Sequence, residues 1–175
     1  MARSTRVKTS PPASKTSTPA VLVDPAPVNP EGAMREALAA ARRGQLAGEP
    51  PVGACIVQEG RVIATAHTAV IAGPDATAHA EMLALRAACR HTRTAFLDGC
   101  ELFVTVEPCA MCLAASHYAG IERVWFGVGL DAMQAVTGRE LRGAAPEGLV
   151  ITGGVLAAEC GALLDGWAAG RVRRR

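Results

Sequence analysis

No apolar run in this 175-residue chain approaches the roughly 20 residues that a membrane-spanning helix needs. The first residues lack the apolar centre of a secretory signal peptide, which makes the cytosol the expected compartment and leaves no membrane partner. No internal repeat divides the chain, and its length is that of one ordinary domain with a real hydrophobic core. Charge is sparse: 19% of residues are Asp, Glu, Lys or Arg against 50% apolar, the balance of a soluble globular protein.

Basic residues are scarce where a nucleic-acid footprint would need them. Eight of the eighteen lie at the ends, as Arg3, Arg6, Lys8, Lys15, Arg171, Arg173, Arg174 and Arg175. The ten that remain face all sixteen acids, so the central body carries about −6. A protein that grips nucleic acid usually shows a basic patch on its folded surface. Nucleic acid is therefore the less expected partner.

Residues 1–29 contain no acid before Asp24 and are rich in Ser, Thr, Pro and Ala. Such a stretch buries too little apolar area to offset its ordering entropy, and it reads as a disordered tail. Its basic, hydroxyl-rich character also fits an organelle transit peptide, although its Arg periodicity is poor. The folded domain is expected over 30–168, with a basic tail over 169–175.

Within that domain, Glu31 to Gly44 has helical spacing at Met34, Ala37, Leu38 and Ala41, with Gly44 as a stop. Val52 to Gln58 and Arg61 to Ala66 read as strands joined by a Glu59-Gly60 turn. Thr77 is a candidate N-cap for a helix from His79 to about His91. Glu101 to Val106 reads as a strand, and Pro108 fits the first turn of a helix reaching Ala119. Arg123 to Val128 and Val150 to Thr152 complete the strands, and Leu156 to Trp167 is the terminal helix. Interleaved helices and strands imply an α/β fold with three α/β/α layers around one sheet.

Of six cysteines, only Cys109 and Cys112 have ligand spacing; Cys55, Cys89, Cys100 and Cys160 sit singly in apolar surroundings. Three residues apart on a helix, two thiolates point in nearly the same direction. At a helix N-terminus the free N–H groups favour the thiolate form that zinc requires. His79 holds the matching place on its own helix, so one Zn2+ per chain on His79, Cys109 and Cys112 is expected. Three protein ligands leave a fourth position for water, the arrangement of a catalytic zinc. Glu81, two residues beyond His79, is placed to move protons without being a ligand. A Cys-x-x-Cys alone also serves redox pairs and structural zinc knots. A redox pair leaves His79-Ala80-Glu81 without a role, and a structural site needs a fourth ligand that His67, His91 and His117 do not supply by spacing.

His-x-Glu followed by Pro-Cys-x-x-Cys is the pattern of zinc nucleobase deaminases. The chain resembles the cytidine and deoxycytidylate deaminase superfamily over about Met34 to Trp167. Within it, the chain looks like the branch of guanine, nucleoside and tRNA adenosine deaminases. Pro51-Val52-Gly53-Ala54, Asp75-Ala76-Thr77-Ala78-His79-Ala80-Glu81, Gly99-Cys100-Glu101-Leu102, Glu107-Pro108-Cys109-Ala110-Met111-Cys112 and Gly120 to Gly127 carry the likeness. The resemblance implies a five-stranded mixed sheet flanked by helices (a cytidine deaminase-like fold), and a homodimer.

It also implies substrate contacts. The family usually has an asparagine eleven residues before the zinc histidine; here that place holds Thr68, with His67 beside it as a candidate substitute. The backbone at Ala80 and near Gly53-Ala54, the carbonyl of Glu107, and a wall at His117-Tyr118 are the other implied contacts. Trp125 or the C-terminal region is a candidate to close the pocket, although an aromatic in a strand is more often core. Glu107 has an alternative use as a cap for the cysteine helix. The expected function is hydrolytic deamination of a free nucleobase, nucleoside or related N-heterocycle, with a guanine- or purine-like ring before a pyrimidine-like one. The alternatives are tRNA adenosine deamination at the wobble base, and a zinc-binding partner subunit without turnover. An intact Glu81 argues against the last.

Overall fold

The computed structural model of the chain describes residues 29–172. The expected tails therefore lie outside the described residues, except for Asn29 and residues 169–172. The elements run α1 (Pro30–Leu46), β1 (Gly53–Gln58), β2 (Arg61–His67), α2 (Ala80–Thr92), β3 (Cys100–Val106), α3 (Ala110–Tyr118), β4 (Arg123–Val128), α4 (Leu130–Thr137), β5 (Val150–Thr152) and α5 (Ala157–Val172).

The five strands form one mixed sheet in the order β2-β1-β3-β4-β5. β1 is antiparallel to both β2 and β3, whereas β3, β4 and β5 run parallel. The first pair closes through Glu59 and Gly60, both at positive φ (51° and 73°), the geometry of a primed hairpin turn.

Alternation along the strands assigns the two faces. Ala54 and Ile56 of β1, Leu102 and Val104 of β3, and Val124 of β4 point toward Ala84, Leu85 and Ala88 of α2 and Cys112 and Leu113 of α3. Cys55, Val57 and Phe103 point the other way, toward Ala33, Met34, Ala37 and Leu38 of α1 and Cys160 of α5. Ile56 and Leu102 are fully buried, each contributing about 1.5–3 kcal/mol by removal from water. The expected three-layer α/β/α arrangement is thus present. No helix among the described residues is long and apolar enough to cross a membrane.

Four local readings change. The N-cap of α2 is His79, not Thr77. Thr77 instead donates its N–H and hydroxyl to Asp75 Oδ1 at 2.8 and 2.7 Å, closing the turn before the helix. Cys109 is the N-cap of α3, which leaves Pro108 just outside the helix. Helix α4 was not anticipated, and α5 runs past Trp167 to Val172.

Candidate functional site

The carboxyl ends of parallel sheets are where α/β folds place their ligands, and here β3 ends at Val106, just before Glu107, Pro108 and Cys109. Helices α2 and α3 present their N-termini to the same point. Their N-cap residues, His79 and Cys109, are both in extended conformation and neither caps its helix with its side chain. Both side chains are turned toward each other instead.

The three donor atoms make a nearly equilateral triangle. Cys109 Sγ and Cys112 Sγ are 3.7 Å apart, and His79 Nδ1 lies 3.7 Å from the first and 3.6 Å from the second. Bonds of about 2.3 Å to sulfur and about 2.0–2.1 Å to nitrogen, at tetrahedral angles, require separations of about 3.8 and 3.6 Å. The triangle therefore fits Zn2+. Among the described residues these three also make up the one His/Cys/Asp/Glu cluster close enough to hold a metal ion.

The charge state of the triad points the same way. The Cys112 thiol beside it, then His79, hold Cys109 down at about 4, against an ordinary 9.0. Cys109, together with burial, pushes the Cys112 thiol far up. The hydrogen bond to Cys109 pulls His79 upward against its burial. A cluster that holds protons this way is short of positive charge, the condition a cation relieves.

Glu81 sits in the first turn of α2, 3% exposed, and burial raises its pKa. Its Oε2 is the buried side-chain atom without a hydrogen-bond partner among the described residues. Buried polar atoms are nearly always paired, so an orphan at the mouth of a metal triad marks a place for a reacting group.

A cavity of about 190 Å³ opens from His79, Glu81 and Cys109. That is more than ten times the roughly 10–15 Å³ one water needs, so it admits a ring system. Its wall includes Pro50, Val52, Thr68, Val70 and Val106, together with Leu130, Met133, Thr137, Arg139 and Glu140 from α4 and the residues that follow it. Glu107 completes the lining. Its carboxylate accepts from Leu130 N (2.9 Å) and pairs with Arg142 (3.0 Å), so it caps α4 and not the cysteine helix. Arg142 also reaches Asp131 (2.8 Å), and Leu141 O accepts from Ala110 N (2.9 Å), which ties the segment after α4 to the start of α3.

Of the expected contacts, Thr68 and Glu107 line this cavity and the others do not. His67 points to the opposite sheet face: its ring packs on Gly44 of α1, with Nδ1 2.7 Å from Thr68 O. Strand alternation separates it from its neighbour Thr68. Gly53 faces Ala37 and Ala41 of α1 and donates its N–H to Thr105 Oγ1, so Val52 lines the cavity in its place. Ala54 and Ala80 are fully buried in the core. His117 and Tyr118 are exposed at the far end of α3, the latter 81%. Trp125 is on the α1 side, stacked on Phe103 at 5.9 Å and donating to Glu101 Oε2 at 2.7 Å. Closure comes from α4 and residues 139–140, not from Trp125 or α5. The signal for α4 was present: Gly129 and Gly138 bracket eight residues with Leu130 and Met133 one turn apart.

A tRNA-specific adenosine deaminase from Aquifex aeolicus is 52% identical over 93 residues, which is 53% of this chain and 62% of the relative. The chain thus spans less than two thirds of that protein. A tRNA-specific adenosine deaminase from Bacillus subtilis is 36% identical over 136 residues, covering 75% of this chain and 84% of the relative. Among solved structures, the guanine deaminase from Nitrosomonas europaea superposes with a TM-score of 0.73 at 30% identity, over 81% of this chain and 85% of that one. The profile of the cytidine and deoxycytidylate deaminase zinc-binding region matches residues 28–128. Because that match covers more than half of the chain and takes in His79, Glu81, Cys109 and Cys112 together, the chain belongs to the cytidine and deoxycytidylate deaminase zinc-binding family.

Proposed function

We propose that this protein is a zinc-dependent hydrolytic deaminase of a free nucleobase, nucleoside or related N-heterocycle, with a guanine-like purine ring favoured. The observation that carries this reading is the unpartnered, buried Oε2 of Glu81 beside a donor triangle of tetrahedral dimensions. His79, Cys109 and Cys112 would hold the zinc, which would supply the Lewis acidity that activates water near neutral pH.

Glu81 takes one proton from the attacking water and delivers it to a ring nitrogen, then takes the second from the hydroxyl so formed and delivers it to the departing amine. One water is consumed, a C–O bond forms at the amidine carbon, the exocyclic C–N bond breaks, and ammonia leaves. Burial raises the proton affinity of Glu81, which suits a carboxyl group that must hold a proton between these steps. Val52, Val70, Leu130 and Met133 give the ring faces apolar walls and exclude bulk water.

Thr68, Arg139 and Glu140 are left to select the ring. A carboxylate only accepts hydrogen bonds, so Glu140 favours a ring edge rich in N–H donors, as an aminopurine has. The tRNA reading draws on tRNA deaminase relatives, among them those from Aquifex aeolicus and Bacillus subtilis. Against it, an anticodon stem requires positioned Lys or Arg on its phosphates. Arg139 is the one Lys or Arg lining the cavity among the described residues, in a body that is net acidic. We also place the protein in the cytosol as a homodimer with one zinc per chain. Phe96 and Tyr118, 63% and 81% exposed beside the Leu97–Ala119 backbone contact, offer such a dimer an apolar face.

The test is ammonia release from a panel of free purines, pyrimidines and their nucleosides. Turnover of guanine or a related aminopurine is the expected result. Inosine appearing in tRNA, with every free base and nucleoside inert, sinks this reading in favour of the second. Zinc near one per chain with no turnover on either panel favours a partner subunit.

A further inference from the structure

Glu49 is a buried carboxylate that the proposed chemistry does not use; it is 1% exposed. The chain turns at Gly48 (φ 88°), the Glu49 N–H bonds back to Gly44 O at 2.9 Å, and Pro50 holds Glu49 extended from the other side. So placed, its carboxylate reaches the loop between β2 and α2. Oε1 accepts from Ile71 N (3.1 Å) and Ala72 N (2.7 Å), and Oε2 accepts from Ile71 N (3.0 Å).

That loop carries Thr68 and Val70 of the cavity wall and leads into His79. On the other side of Glu49, Pro50 and Val52 belong to the same wall. One side chain therefore joins two stretches of rim that lie some twenty residues apart in sequence. Pairing the two amides does not in itself call for a charge. Ile71 is 60% exposed, whereas the carboxylate that accepts from its N–H is 1% exposed. Taking a carboxylate out of water is costly, and what it provides here is a fixed geometry for two consecutive amides.

We propose that Glu49 is a positioning residue: it sets the Thr68–Val70 wall, and so how tightly the ring is held, without touching the chemistry at Glu81. This rests on the deaminase reading. A glutamine at 49 puts an NH2 where Oε2 accepts from Ile71 N (3.0 Å), setting donor against donor and leaving one oxygen to hold both N–H groups. Glu49→Gln should keep one zinc per chain and a kcat within about threefold, while KM rises about tenfold, the mark of lost binding and not of lost chemistry. Hydrogen exchange at Ile71 and Ala72 should speed up in the same variant. In a Thr68→Val background the effect of Glu49→Gln on KM should shrink to less than about twofold, because residues acting through one another are not additive.

An unchanged KM despite faster exchange overturns the proposal, as does the full tenfold effect in both backgrounds. A parallel fall of kcat, zinc content and melting temperature overturns it too, since that is a general loss of structure. If Glu49→Gln does not fold, Glu49→Asp keeps the charge one methylene short; the same KM-against-kcat split is expected, and its absence is fatal. The deaminase reading fails separately, by a wild-type protein that releases no ammonia from any free base or nucleoside and makes no inosine in tRNA.

Discussion

Glu81→Gln changes one oxygen to an amide nitrogen in a side chain that is 3% exposed, and leaves its volume and all three zinc donors alone. Proton transfer by a positioned side chain is worth about 10²–10⁴-fold in rate, equivalent to about 3–5 kcal/mol of barrier. The variant should therefore lose that factor in kcat while keeping zinc near one per chain, read by ammonia release and by metal analysis. The same change should stabilise the chelated protein. A buried group left unpaired costs about 1–3 kcal/mol, and more when charged; glutamine leaves the unpaired place of Oε2 polar but takes away the charge. At about 2–4 °C per kcal/mol for a domain of this size, the chelated variant should melt several degrees above chelated wild type. The sign follows from the raised pKa. The penalty is absent where Glu81 is protonated in both folded and unfolded chain, below its ordinary 4.5, grows as pH rises from there to the raised folded value, and is constant above it. The gap in melting temperature should thus widen from pH 4.5 toward 7. Retention of more than about a tenth of the wild-type rate, or loss of zinc together with activity, refutes the assignment of Glu81.

Iodoacetamide should alkylate Cys109 of the chelated protein at a rate that is level between pH 6 and 8, because a thiol held at about 4 is already ionised there. A thiol near the ordinary 9.0 would react about tenfold faster per pH unit, and such a slope refutes the claim. Cys100 and Cys160, pushed up by burial to about 11 and about 12, should stay unlabelled at pH 8 in the native protein. Gly53→Ala drives a methyl group into the backbone of Ala37 and Ala41 on α1 and should cost about 1–3 kcal/mol or more. That would be seen as a lower urea midpoint at unchanged slope, and a midpoint equal to wild type refutes the close approach of α1.

Most of the fold was legible because its signals are local. Turn residues at Glu59-Gly60, apolar strands and helical spacing in α1 each declare themselves within a few residues. The metal triad was legible for a related reason: a helix start fixes the direction of its first side chains, so Cys109, Cys112 and His79 could be aimed without knowing the rest. Thr77 misled because a hydroxyl before a helix suits a cap, whereas Asp75 claims that hydroxyl and the cap position goes to a metal ligand. The lining that follows β4 was not legible in the same way. Arg139 and Glu140 follow a short helix whose packing depends on Glu107, more than twenty residues away, and on Arg142 bridging back to it. His67 and Gly53 were adjacent to true lining residues, and the period of two along a strand sent each to the other face.

The zinc donors and the part of the cavity lining that follows β4 fall on different parts of the molecule. The three donors that could hold zinc, and Glu81, the proposed proton carrier, lie within 28–128, the stretch shared with the family, at the starts of α2 and α3. Leu130, Met133, Thr137, Arg139 and Glu140 lie beyond it, on α4 and the segment that Arg142 ties down. Transition-state chemistry at an amidine carbon requires the same donors whatever the ring, whereas discrimination between rings depends on which hydrogen bonds the outer wall offers. A carboxylate at Glu140 and a hydroxyl at Thr68 form a pairing that accepts N–H groups on one side and adapts on the other. The identity of the ring is therefore a question about residues 68 and 130–142, and similarity over the zinc-binding stretch does not answer it.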